Sequence, residues 1–241
     1  MKVKNVELLK KNLYFLNQVS NNHIYINLNK HENKIHFSNI NDERTIMADF
    51  TMEYSKRINN NITIKSDKTF YDIFSRIESG SEVTLNFKKD KILVRINYED
   101  IELDGVLPAT PSKFQGLPTY TSDHVFKISG DKLYHGLNLL ARLKSDLRLK
   151  IQDNKLIIKA ENTEGCLKLL LPPDIKINQK KVKESVYDYE IIKHLLRAAQ
   201  ISKKVDIGLS WNKNIKDNIL FVKFHFKRFD GGIEYLFTPK G

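Results

Sequence analysis

From Val6 to Val19 the apolar residues Leu9, Leu13 and Leu16 recur at helical spacing, with Lys10, Lys11 and Tyr14 on the other side. That pattern predicts a helix buried along one face. The alternating run His23 to Leu28 and the segment Lys34 to Phe37 then read as strands around a polar turn at residues 30–33. A second amphipathic stretch puts Phe70, Ile73, Phe74 and Ile77 on one face, with Ser79-Gly80 expected to close it. Two more alternating segments follow, Val83 to Phe87 and Ile92 to Ile96.

The same plan recurs after residue 122. Leu9, Leu13 and Leu16 map at an offset of 124 onto Leu133, Leu137 and Leu140, and Phe70, Ile73, Phe74 and Ile77 map at 122 onto Ile192, Leu195, Leu196 and Ala199. Asn33 to Phe37 map at 121 onto Asn154 to Ile158, Val83 pairs with Val205, and Ile92, Val94 and Ile96 map at 128 onto Leu220, Val222 and Phe224. Matching offsets in one order point to an internal duplication. The expected architecture is α+β, with topologically similar domains at 1–103 and 123–241 and a connecting loop at 104–122. The stretch Leu103 to Ser122 holds three of the six prolines and two of the ten glycines, and reads as an extended linker. Its Val106, Leu107, Phe114 and Leu117 are too apolar for a bare tether.

Charge narrows the class of partner. Forty basic and 29 acidic residues give a net charge of +11, which favours a polyanion. A composition 41% hydrophobic and 10% aromatic supports a substantial core. The single cysteine, Cys166, excludes an internal disulfide and a multi-cysteine metal site, and reads as a core thiol. No apolar run approaches the ~18 residues of a membrane span, and the start lacks a signal-peptide core, so a soluble intracellular protein is expected. No phosphate-binding loop, dinucleotide fingerprint, metalloprotease helix or nucleophile elbow is present. No cofactor, metal or catalytic residue is assigned, and no enzyme is expected. The carboxylates Asp42, Glu43, Glu99 and Asp100 are the only candidates for an unfamiliar metal-dependent site, and they read equally well as turn residues.

Opposite the core positions of the helix at 189–200 lie Lys193, Arg197 and Gln200, a short basic stripe. Lys10, Lys11, Arg76 and Arg142 belong to the other helical segments. Flexible cations on helix faces suit a phosphate backbone without reading base sequence.

The stretch Tyr189 to Ser202, the strand Val205 to Leu209 and the terminal Gly232-Ile233-Glu234-Tyr235-Leu236-Phe237-Thr238-Pro239-Lys240 are similar to those of the sliding clamps of the proliferating cell nuclear antigen family. Ser129-Gly130-Asp131 at a helix start, Gly116-Leu117-Pro118 in the linker, Asn41 to Met47 and Leu9-Lys10-Lys11 extend the resemblance over the whole chain. It implies a clamp fold, with helices lining a channel for double-stranded DNA and antiparallel sheets outside. It also implies trimeric self-association, a clamp loader, and tethering of DNA polymerase and other proteins that carry clamp-binding peptides. Lys10, Lys11, Lys193 and Arg197 would face DNA. Ile40, Arg44, Met47, Leu117, Pro118, Leu236 and Pro239 would line the peptide groove. The ring would close through edge strands at Tyr98 to Leu103 and Gly165 to Leu171, with Tyr98, Ile101, Leu103, Cys166, Leu167 and Leu169 at the subunit interface. Such a protein would work in a nucleus, a nucleoid, the cytoplasm or a viral replication site. The chain departs from the family in its basicity and in having Asn17, Asp72, Ser75, Tyr134 and Asn138 at channel positions that are usually basic. A monomeric basic processivity factor with the same fold is the alternative.

Overall fold

The computed structural model describes residues 2–29, 31, 34–53, 61–114, 116–117, 124–172, 184–212, 217–227 and 231–240. The chain divides into two compact units, Met1–Asp42 with Met47–Pro118, and Glu43–Ile46 with Thr119–Gly241. The first contains α1 (Val6–Val19), β1 (His23–Asn29), β2 (Lys34–Ile40), β3 (Ile46–Glu53), β4 (Ile62–Asp67), α2 (Thr69–Ser75), β5 (Glu82–Phe87), β6 (Lys91–Tyr98) and β7 (Ile101–Pro111). Its strands lie in the order β5-β6-β7-β4-β1-β2-β3, antiparallel throughout.

The helical spacing read from the sequence is the spacing that packs. Leu9, Leu13 and Leu16 of α1 are buried, as are Phe70 and Phe74 of α2 and the alternate residues Ile24, Ile26 and Leu28 of β1. Phe37 stacks on Phe50 with ring centroids 4.8 Å apart and meets Phe70 at 6.2 Å. Each such side chain contributes about 1.5–3 kcal/mol by leaving water. Asn5 caps α1 by accepting from the Leu8 N–H at 2.9 Å. At the other end Asn39, fully buried, donates to the carbonyls of Leu16 at 3.0 Å and Ser20 at 2.6 Å. One strand amide thus satisfies helix-end carbonyls that burial would otherwise strand.

The second unit contains β8 (His124–Ser129), α3 (Gly130–Leu140), a 3-10 turn (Ala141–Leu143), β9 (Leu147–Gln152), β10 (Lys155–Asn162), β11 (Gly165–Leu171), β12 (Ser185–Tyr187), α4 (Ile191–Gln200), β13 (Ser202–Asn212), β14 (Asp217–Phe226) and β15 (Gly232–Phe237). The orders β11-β10-β9-β12 and β3-β2-β1-β4 are the same arrangement, and β13-β14-β15 repeats the meander β5-β6-β7. Even β8, beside β13, has a counterpart in the antiparallel bridge from Lys2 to Thr84 of β5. The two units share one topology, and of the mapped helix positions Leu9, Leu13, Leu16, Phe70, Phe74, Leu133, Leu137, Leu140 and Ile192 are core, while Leu196, the counterpart of Phe74, is half-buried. At Gly130 a Cβ would meet the Ser202 carbonyl oxygen at 2.1 Å, so only glycine lets α3 start against the end of α4.

Four local expectations change. Residues 104–111 are not loop but the continuation of β7, paired with β6 from Ile101 to Pro108 and with β4 from Ala109 to Pro111. The prolines that signalled a linker sit on a strand with only one ladder along most of its length, where a missing N–H is tolerated. Tyr98 to Leu103 is a hairpin rather than one edge strand. Tyr98 ends β6, Glu99 takes a left-handed φ of 51°, and Ile101 opens β7 directly opposite Tyr98. Gly80 does not cap α2, which stops at Ser75 with Arg76 as its C-cap. Cys166 is exposed, not core.

Candidate functional site

The residues singled out by sequence fall into three groups. On α4, Lys193, Arg197 and Gln200 are exposed while Ile192, Leu195 and Ala199 are buried, so the basic stripe exists as read. Lys193 is partly neutralised by Glu190 one turn earlier, at 2.7 Å. Arg142, in the 3-10 turn after α3, and Lys132 on α3 are also exposed; Lys132 escaped the sequence reading because it precedes the apolar repeat by one residue. In the first unit Lys10 and Lys11 are both half-buried, and Lys10 is committed to contacts within the unit. Its ammonium donates to the Ile77 carbonyl at 2.5 Å and lies 3.8 Å from Glu7. Lys10 therefore closes the end of α2 rather than presenting a free cation. Arg76 lines an apolar groove described below. Between Lys193 and Arg197 sits His194, whose ring burial lowers to a pKa of about 4, helped by Arg197, so it adds no charge at neutral pH.

The excess charge is unevenly placed. Residues 1–118 carry 17 basic and 15 acidic side chains, and residues 119–241 carry 23 and 14, so the two parts bear +2 and +9. On the outer face of β9, β10 and β11, Arg148 stands opposite Lys159 and Lys159 opposite Lys168, a row of three like charges. Glu184 and Glu161 offset two of them.

The second surface is the outer face of β4, β1, β2 and β3. Lys65, Tyr25, Ser38 and Asp49 follow one another across these strands. The segment after β7 crosses them in order. Ser112 N–H bonds the Thr63 carbonyl at 2.9 Å, Phe114 packs on Tyr25 with ring centroids 4.4 Å apart, and Gly116 lies on Ser38 and Asp49. Gly116 has φ +86°, and a Cβ there would approach Ser38 Oγ to 2.9 Å, so both conformation and contact demand glycine. Ser38 donates to the buried Asp49 carboxylate, and His36 Nδ1 lies 3.5 Å from its other oxygen. The carboxylate lies between hydroxyl and imidazole, so the histidine is not placed to take the serine proton. Ile40 and Met47 are direct cross-strand neighbours, both half-buried, in the next row, and Leu117 is the residue after Gly116.

The remaining groove residues divide as follows. Arg44 is exposed at a left-handed φ of 57°, and its neighbour Thr45 accepts from the Thr238 N–H at 2.9 Å, which fixes Pro239 next to that turn. Lys240 clamps the terminus through Asp146 at 2.8 Å and Asp188 at 3.1 Å, and its N–H bonds the Val186 carbonyl. Leu236 is 2% exposed and serves as core, so it is not a docking side chain. Pro118 lies outside the described residues.

The third surface is a pair of strand edges. Along 101–108, β7 pairs among the described residues only with β6, and Ile101 and Leu103 are 61% and 60% exposed. With Ile73, Ile77, Val94 and Ile96 they border an apolar cavity of about 400 Å³. In the second unit β11 is, among the described residues, the outermost strand of its sheet. Its Leu167 is 39% exposed, while Leu169 lies against Gly136 of α3. Unprotected apolar edges are templates for strand addition. The acidic candidates make no metal centre: Glu99-Asp100 is the hairpin turn, Asp42-Glu43 are exposed turn residues, and no group of three or more His, Cys, Asp or Glu that could hold a metal occurs among the described residues. No helix among those residues is long and apolar enough to cross a membrane.

No protein-family model and no curated protein matches the chain. Among solved structures, a chain of the PCNA2–PCNA3 complex from Sulfolobus tokodaii is similar in three dimensions, with a TM-score of 0.71 and 14% sequence identity. The match covers 100% of this chain and 99% of that one. At that identity the shared property is the fold, and it extends from end to end: this chain has a PCNA-like clamp fold.

Proposed function

We propose that the protein is a DNA sliding clamp, a subunit of a closed trimer that surrounds duplex DNA and tethers a DNA polymerase and other replication or repair proteins to it. The observation that carries this reading is the full-length clamp fold with, among the described residues, an unpaired apolar strand edge on each unit, which head-to-tail association of copies would cover. Lys11, Arg142, Lys193 and Arg197 supply non-specific phosphate contacts. Lys10 drops out, being bonded to Ile77. Partners carrying short apolar-aromatic peptides dock on the face of Ile40, Met47 and Leu117, where a few anchors would carry most of the energy and Met47 adapts to different shapes. Loading a closed ring onto DNA calls for a clamp loader.

Light scattering tests the assembly: a mass of three times 28.1 kDa supports a ring of copies of this chain, and a monomer at every concentration refutes that form and leaves a mixed ring with other subunits. Retention on circular DNA tests the topology. A ring survives about 1 M salt, where exposed charge contacts are screened beyond ~3 Å, and is lost when the circle is cut. The concentration of +9 in residues 119–241 favours one second reading, a monomeric processivity factor held by charge. That protein would leave circular and linear DNA alike as salt rises.

A further inference from the structure

The sheet β11-β10-β9-β12 has two unlike faces. Leu147, Leu149 and Ile158 border the same small interior space as Leu133 of α3 and Leu195 of α4, so this side of the sheet packs on the helices. Alternation sends the intervening side chains to the far side. There Val186, Arg148, Lys159 and Lys168 form one row across the four strands, and Lys150, Ile157 and Leu170 lie in the next. Lys155 opens the same face of β10. Glu161 holds Lys159, and Glu184, just before β12, lies 3.4 Å from Arg148. Lys150, Lys155 and Lys168 have no ion pair among the described residues. The other nearby carboxylates, Asp153 and Glu164, sit in the hairpin turns at opposite ends of the strands. Like charges directly opposite one another on neighbouring strands are unfavourable, so the row Arg148, Lys159 and Lys168 is relieved by an anion from outside.

We infer, resting on duplex DNA as the ligand of the reading above, that this far face is a second duplex-binding surface, on which Arg148, Lys150 and Lys168 hold phosphates. It is separate from the helix cations Arg142, Lys193 and Arg197. An α-helix with its side chains is about 10–12 Å thick, so a duplex lying on the helices does not reach the far side of the sheet behind them. Strands about 4.8 Å apart place the Cα atoms of Arg148 and Lys168 about 10 Å from one another, the length of about three phosphates along one DNA strand. Flexible cations in such a row meet the backbone and read no base edges. No aromatic residue occurs in β9, β10 or β11, so an unpaired base finds no ring to stack on, and the duplex fits better than a single strand. The aliphatic side chains among the cations are Ile157 and Val186, both half-buried, and Leu170 on the outermost strand. These are too few for the apolar centre of a protein interface, which sets an acidic protein partner behind DNA.

Fluorescence anisotropy of a labelled short duplex, titrated with the full chain at rising salt, tests the surface. The background carries alanine at Lys11, Arg142, Lys193 and Arg197, which silences the helix face. Duplex binding should persist in that background. Arg148→Ala with Lys150→Ala, both on the inner strand β9 and away from the edge at β11, should flatten the slope of log affinity against log salt by about 1.8, or 0.9 for each lost phosphate contact. Affinity then falls about tenfold less between 50 and 200 mM salt. Glu184→Gln frees Arg148 and should steepen the slope instead, a gain that unfolding cannot imitate. Light scattering and a urea melt check that mass and stability are unchanged. Loss of all duplex binding in the background, or a slope that neither variant moves, overturns the second surface and leaves the helix face as the DNA site. A background that binds as the wild type does, with the β9 pair flattening the slope, removes the helix face and keeps this one. Labelled polyglutamate and oligothymidylate are the other two probes. If the β9 pair releases polyglutamate but not the duplex, the face belongs to an acidic protein segment, and if it weakens oligothymidylate more than the duplex, to a single strand; either result overturns the inference.

Discussion

Leu103→Ala separates an assembly residue from a folding residue. Leucine to alanine removes three carbons, worth about 0.8 kcal/mol for each one fully buried. Leu103 is 60% exposed in the single chain, so the part of its burial that only a second copy can supply is about 1.4 kcal/mol, near tenfold in the dissociation constant of each contact. Ile101, 61% exposed, should behave alike, and Ile101→Ala with Leu103→Ala should approach a hundredfold if the two act independently. The folded monomer should lose no more than about 1 kcal/mol, the share of the side chain that the single chain already buries against the cavity. Sedimentation across a dilution series gives the association constant, and a urea melt gives the monomer's stability. Unchanged association, or a melt that shifts by several kcal/mol while association holds, would show that this edge is not where copies meet.

Replacing Lys11, Arg142, Lys193 and Arg197 together by alanine should weaken duplex binding equally for unrelated sequences and flatten the salt dependence by roughly one unit of slope per lost contact, measured by fluorescence anisotropy. Lys10→Ala should leave that slope alone and lower the melting temperature, because its ammonium bonds the Ile77 carbonyl. Gly116→Ala should loosen the segment over Ser38 and Asp49 and weaken a polymerase-tail peptide in calorimetry, with the second unit's melt unchanged. For His194 the folded ring resists protonation until pH about 4, while the unfolded ring accepts a proton near its ordinary 6.5. Its contribution is therefore complete above pH 6.5 and falls by up to ~1.4 kcal/mol per unit as pH drops towards 4, and urea melts of His194→Gln should lack that acid limb.

The parts of this protein legible in its sequence are those where one residue's burial follows from its own neighbours. The leucine spacing of α1 and α3 named both helices and their buried faces, and the mapped positions revealed the repeated topology, because period and burial are the same physical fact there. Where the structure departs from the reading, the deciding contact comes from far along the chain. Pro108 and Pro111 spelled a loop, but β6 and β4 hold that backbone as strand. Lys10 carried the mark of a surface cation, and the carbonyl that claims it belongs to Ile77, 67 residues away. Leu236 shares its motif with Pro239, yet one is core and the other half-exposed, a difference no local pattern encodes. The strand edges combine both cases. The resemblance singled out Gly165 to Leu171 as an edge, but only the fold shows that β10 pairs with one side of that strand and that, among the described residues, no strand of its sheet pairs with the other. An apolar edge kept open by a folded chain is a cost to solubility unless another strand completes it, so the same geometry that the sequence could not display is what makes association between copies the economical reading of this fold.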